Sequence, residues 1–192
     1  MSRPALLAPG GDYLSAKAAA LAGADEVYLG LGRFNARRRA GNLTLEKLGS
    51  LAALARSRGA RIFITTNVLI TDAEIPEIIG LIGGCYAAGA AGVIVQDPGL
   101  LYLLQSRLPQ LEVHVSTQMT VHSRGQIEYL AGFGVRRINL ARELSLDEIR
   151  LLSAHAAGFG IETEVFVHGA YCVSYSGQCF MSSFMGGQSG NR

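Results

Sequence analysis

Along the 192-residue chain, short β-branched runs alternate with longer segments rich in Ala and Leu. A glycine stands at the end of each of five long segments, close before the next run: Gly23 before EVYLG, Gly59 before RIFITT, Gly89 before GVIVQD, Gly134 before RRINLA and Gly160 before IETEVFV. Glycine suits the left-handed residue that closes a helix, so the pattern predicts helix, turn and strand in repetition. ALLA near residue 6 and EVHVST at 112–117 supply two further strands. Helix starts are marked where Thr71 precedes Glu74 and Ser145 precedes Glu148 by three positions, the capping-box spacing. The pattern predicts helices over 13–22, 44–58, 72–88, 99–107, 123–132 and 145–157.

Strands that alternate with helices run parallel, with right-handed crossovers. An open doubly wound sheet and a (β/α)8 barrel both satisfy that order. Repeats of roughly 25–30 residues match a barrel of about 250 residues, and no glycine-rich phosphate loop follows the first strand. The expected fold is therefore α/β, a TIM-like (β/α)8 barrel truncated to about seven strands and six helices. It forms a single domain over residues 1–192, incomplete at its C-terminus. A parallel barrel without its last unit exposes strand edges, which implies a fragment, a truncated domain, or a homo- or hetero-oligomer that completes the sheet.

Composition sharpens this picture. With 49% hydrophobic and 17% charged residues the chain can bury a substantial core. The uncharged segment Ile78–Val95 has the minimum length of a membrane span, but its five glycines and its GAAG break favour a buried helix, loop and strand. The 17 basic and 15 acidic residues nearly cancel, so an anion site has to be local. Three cysteines do not make a secreted disulfide framework, and no signal-peptide pattern opens the chain, which points to the cytoplasm and to no membrane partner.

In parallel α/β folds the loops after the strands share the functional face. Those loops carry Asp12, Arg33, Asn35, Arg37, Asn67, Asp97, Thr117, Gln118, Arg142, Glu143, His168, Cys172 and Cys179. Asp12 and Asp97 serve equally as helix caps. Asn67, Thr117 and Gln118 serve equally as partners of loop backbone, and Arg142 with Glu143 as a structural ion pair. RFNARRRAGN places four arginines within seven residues, a run suited either to solvent or to bidentate binding of phosphate or carboxylate. Cys172 and Cys179 are spaced C-x6-C, wider than a structural zinc knuckle. Cys85 sits among Gly and Ala as a small core residue.

The segment from Glu164 to Ser182 resembles the signature of the collagenase-like peptidases of family U32: Glu164, Phe166, His168, Gly169, Ala170, Cys172, Cys179 and Ser182. LLAPGG, GADEVYLG, FNAR, TTN, VSTQ and LARELSLDEI extend the similarity along the chain. The resemblance implies an oxygen-independent RNA pyrimidine 5-hydroxylase, or part of one, acting on tRNA or rRNA with a prephenate-like hydroxyl donor. It also implies a [4Fe–4S] cluster with Cys172 and Cys179 as two of its four ligands. The same family implies two other readings, a collagenase-like peptidase and a non-catalytic subunit of a hetero-oligomeric quinone hydroxylase. On the hydroxylase reading His168, Glu143 and Asn67 are the candidate catalytic residues, and Arg33, Arg37, Thr117, Gln118 and Arg142 the candidate substrate-binding residues.

Overall fold

The computed structural model describes residues 3–36, 43–169 and 172–186. Seven strands form one sheet in chain order: β1 (Leu7–Pro9), β2 (Glu26–Gly30), β3 (Arg61–Thr66), β4 (Gly92–Val95), β5 (Glu112–Val115), β6 (Arg137–Asn139) and β7 (Glu162–Glu164). The β1/β2, β2/β3, β5/β6 and β6/β7 pairs are parallel. Six helices alternate with them: α1 (Tyr13–Leu21), α2 (Leu45–Ser57), α3 (Ile75–Ala87), α4 (Pro98–Arg107), α5 (Arg124–Ala131) and α6 (Leu146–Ala157). A seventh, α7 (Met181–Gly186), was not expected from the pattern.

The glycine punctuation holds. Gly23, Gly59, Gly89, Gly134 and Gly160 all have positive φ, between 65° and 98°, a region closed to most side chains but open to glycine. Asp12 and Asp97 cap α1 and α4, accepting from the N–H groups of Ser15 and Leu100. The capping box at Ser145 opens α6. The box at Thr71 instead opens a 3-10 turn, Asp72–Glu74, and α3 begins at Ile75. Pro76 explains the division, because its ring fixes φ and removes an N–H in the first turn of the helix. Among the described residues no helix is long and apolar enough to cross a membrane.

The described residues cluster into two compact units, Met1–Thr66 with Ile70–Ile94, and Asn67–Leu69 with Val95–Arg192. In the first, Leu48, Leu51, Ala52 and Ala55 of α2 and Ile78, Ile82 and Cys85 of α3 are buried. Their i, i+3, i+4, i+7 spacing gives each helix one apolar stripe, and each fully buried Leu or Ile contributes about 1.5–3 kcal/mol. Arg61 of β3 is paired with Glu26, its register partner on β2.

In the second unit Val113, Val115 and Ile138 are buried on one face of the sheet. The alternating residues form a polar face, because directly paired residues of parallel strands project to the same side. His114 is in register with Arg137, Arg137 with Glu162, and Asn139 with Glu164. Arg137 is bonded to Glu162 at 2.9 Å and lies 3.5 Å from Glu164, while Asn139 donates to Glu164 at 2.6 Å. His114 is 2.8 Å from Glu112, and His155 of α6 is 3.0 Å from Glu128 of α5.

Two strands end earlier than their hydrophobic runs suggest. β5 stops at Val115, because Ser116 caps a 3-10 turn over Thr117–Met119. β7 stops at Glu164 although VFV follows. Beyond Asn139 the Leu140 N–H still donates to the Glu164 carbonyl, while on its other edge Leu140 bridges to Val121 and the Ala141 N–H donates to the Val121 carbonyl. Residues 165–167 lie outside the strand and are exposed, Val167 to 83%.

Candidate functional site

The loop from Cys172 to Phe180 is held against the segments that follow β5 and β6, all within the second unit. Ser176 is its anchor. This residue is only 1% exposed, and its hydroxyl donates to Glu143 at 3.2 Å while accepting from the Arg142 N–H at 3.2 Å and from Arg142 Nε at 3.4 Å. Its backbone N–H donates to the same Glu143 oxygen at 2.9 Å, and its carbonyl accepts from the Thr120 hydroxyl at 2.6 Å. Arg142 also donates to the carbonyls of Cys172 at 3.2 Å and Ser174 at 2.8 Å. Arg142 and Glu143, expected from the sequence to bind substrate and to act in catalysis, thus both turn their side chains onto the thiol loop.

The contact at Thr120 is strained and close. Thr120 has φ 55°, and a β-branched residue there costs on the order of 1–3 kcal/mol. Opposite it, Gly177 has φ 71°, and a Cβ on it would lie 2.1 Å from the Gln118 carbonyl oxygen and 2.6 Å from Thr120 Oγ1. Only glycine fits. The Thr120 carbonyl is itself tied to the start of α5, 2.7 Å from His122 Nδ1 and accepting from Gln126 Nε2 at 3.2 Å.

Electrostatics follows from these bonds. The Ser174 N–H beside it, assisted by the Ser174 hydroxyl and the Arg142 guanidinium, holds the Cys172 thiol below its ordinary 9.0 despite partial desolvation. Desolvation pushes the Glu143 carboxyl up, but donation from Ser176, its own backbone N–H and the Arg142 charge leave it below its ordinary 4.5. Burial alone pushes the Cys85 thiol up to about 11. All three cysteines are free thiols, Cys172 exposed, Cys179 half-buried and Cys85 buried.

The other expected residues are placed as follows. His168 is exposed, beyond the end of β7 rather than on it, and has no hydrogen-bond partner among the described residues. Asn67 is half-buried just past β3. Thr117 and Gln118 lie in the 3-10 turn after β5. The Thr117 hydroxyl is 3.5 Å from the Leu140 carbonyl, and Gln118 has a buried amide oxygen with no partner among the described residues. Arg33 belongs to the first unit, where it forks onto Glu77 at 2.8 and 3.1 Å, reaches Glu74 at 3.5 Å and stacks over Phe34. Arg37, with Arg38 and Arg39, lies outside the described residues. Ser176, Thr120 and Gly177 were not singled out as site residues by sequence reasoning. The one local signal was the Ser-Gly turn dipeptide, Ser176-Gly177, between the two cysteines.

As a donor set, two free thiols on one anchored loop fit half of a four-cysteine iron–sulfur site. Among the described residues no group of three or more His, Cys, Asp or Glu side chains could hold a metal ion.

The sequence matches the model of peptidase family U32 over residues 11–192. It is 41% identical over 97% of its length to the 23S rRNA 5-hydroxycytidine C2501 synthase of Escherichia coli, covering 28% of that protein. It is 34% identical over 99% of its length to tRNA hydroxylation protein P1 of Bacillus subtilis, covering 44%. A collagenase of Porphyromonas gingivalis is 32% identical over 97% of the chain, with 47% of that protein covered. The chain thus spans less than half the length of these curated relatives. The solved U32 peptidase Mk0906 superposes with a TM-score of 0.69 at 15% identity, covering 86% of this chain and 69% of that one. KGPDC from Streptococcus mutans superposes with a TM-score of 0.55 at 11% identity, covering 85% and 77%. The likeness to Mk0906 carries the expected TIM-like barrel class.

Proposed function

Since this chain belongs to peptidase family U32, we propose that it is the thiol-bearing barrel portion of an oxygen-independent RNA pyrimidine 5-hydroxylase acting in the cytoplasm. The observation that carries this reading is the 41% identity to an rRNA 5-hydroxycytidine synthase across nearly the whole chain. The tRNA hydroxylation protein among its relatives supports RNA as the partner.

In this reading Cys172 and Cys179 are two of four ligands of a [4Fe–4S] cluster, which when bound supplies one-electron redox chemistry. The chain's own residues hold the reactants in place. Arg142 and Glu143 fix the thiol loop. Thr117 and Gln118, on the adjacent turn, are the candidate substrate-binding residues, a hydroxyl and an amide able to hydrogen-bond a base or a sugar. Arg33 and Arg37 are the candidate anion clamps for a prephenate-like donor or for RNA phosphate, because guanidinium forks match carboxylate and phosphate; Arg33 takes that role only by exchanging its contacts with Glu77 and Glu74 for the anion. His168 and Asn67 are exposed and half-buried polar groups able to move or hold a proton near the pyrimidine.

The collagenase relative keeps a peptidase as the second reading. Its chemistry is less well served by this chain. Ser116 and Ser176 are buried and hydrogen-bonded, and His168 has no described partner to orient it as a base. Anaerobic purification of the full-length protein distinguishes the two readings. The hydroxylase reading expects bound iron and visible charge-transfer absorption that disappear in Cys172→Ala. Iron-free protein that cleaves gelatin or peptides would overturn it.

A further inference from the structure

Loops that carry metal-binding thiols are often ordered only by the metal. Here the bonds that order the loop come from the protein. Ser176 sits midway between Cys172 and Cys179, buried, with its hydroxyl, N–H and carbonyl all engaged. The partners come from two separate segments: Thr120 after β5, and Arg142 with Glu143 after β6. Two left-handed residues, Thr120 and Gly177, face each other at the closest approach. A threonine held in that conformation spends its hydroxyl on the Ser176 carbonyl, and its own carbonyl is bonded to the start of α5. None of these bonds involves a thiol sulfur.

We propose that Ser176, clamped by Arg142, Glu143 and Thr120 over Gly177, is a positioning latch that sets the Cys172–Cys179 loop in place before any metal arrives. The latch stands on geometry alone. Its role for the thiols rests on the reading of Cys172 and Cys179 as cluster ligands. Preorganisation of this kind removes the ordering entropy from the binding step, so loss of the latch weakens retention of the group while the thiols themselves remain.

The test uses full-length protein, unsubstituted and as Ser176→Ala, Thr120→Val and Thr120→Ser. Hydrogen exchange on chelator-treated protein reads the amides of Ser176 and Gln178, with α4 and α6 as internal controls for folding. In the unsubstituted metal-free protein these loop amides are expected to be protected. Exchange should rise about tenfold in Thr120→Val, the effect of losing one such hydrogen bond, and by at least as much in Ser176→Ala, which removes the three bonds that the hydroxyl makes to Glu143 and Arg142. It should return toward the original rate in Thr120→Ser, which keeps the hydroxyl. Iron per chain and visible absorption of anaerobically prepared protein should follow the same order. Loop amides that exchange like an unstructured peptide without metal, or that keep their protection in both disruptive variants, would overturn the latch. Full iron retention in variants with accelerated exchange would overturn its positioning role. Absence of iron from the unsubstituted protein, with the exchange pattern as expected, would overturn the cluster reading and leave the latch standing.

Discussion

Cys172 and Cys85 carry the same side chain in opposite settings, and their reactivities should separate. Cys172 is exposed beside the Ser174 N–H, the Ser174 hydroxyl and Arg142, which favour the thiolate, whereas burial raises Cys85 to about 11. In metal-free protein, iodoacetamide at neutral pH should therefore label Cys172 well before Cys85, and Arg142→Met should slow Cys172 by removing a nearby positive charge. Mass spectrometry of time-resolved digests reads both rates. The carboxyl of Glu143 gives a second residue-scale test. Its folded value lies below the ordinary 4.5, so its stabilising contribution is present above that value and is lost as pH falls through the lower folded value. Acid titration of loop protection should thus weaken below pH 4.5 in the unsubstituted protein, and this part of the response should be absent in Glu143→Gln.

At the scale of elements, what was legible was local. A glycine closing each of five helices, aspartates capping α1 and α4, and the Ser145 box opening α6 all depend on residues within one turn of each other. Ser145→Ala should cost about 0.5–2 kcal/mol in urea unfolding. Gly125→Ala in α5 meets open space and should stabilise by about 0.5–1 kcal/mol. A lower urea midpoint for the alanine at 125 would contradict that assignment. The end of β7 was not legible, because it depends on a non-local choice. EVFV has the composition of a continuing strand, yet β7 ends at Glu164, whose carbonyl accepts from the Leu140 N–H, and residues 165–167 are exposed. The division of α3 was missed for a local reason: the capping box was visible, but Pro76 tightens the turn ahead of it and moves the helix start to Ile75.

At the scale of the molecule, the rule that strand-end loops carry function located the region of the thiols but not how it is held. Arg142 and Glu143 were visible as a charged pair after β6, but their shared target, Ser176, is 34 and 33 residues further along the chain, respectively. Thr120 reaches it across 56 residues. No spacing rule links three such segments; only the packing of the strands does. The core that supports this arrangement should be correspondingly sensitive. Ile127 of α5 and Leu130 beside it are fully buried, and Ile127→Ala should destabilise by about 2–5 kcal/mol, measured by urea unfolding, and loosen the thiol loop through the α5 contact with Thr120.

The central claim is that the two thiols serve RNA hydroxylation. Its most direct test is nucleoside mass spectrometry of ribosomal and transfer RNA from cells lacking the gene, complemented with full-length protein that is either unsubstituted or doubly changed at Cys172→Ala and Cys179→Ala. The account predicts that one 5-hydroxypyrimidine disappears on deletion, returns with the unsubstituted protein and stays absent with the double variant. Unchanged 5-hydroxypyrimidine levels in the deletion, or full restoration by the variant without thiols, would contradict it.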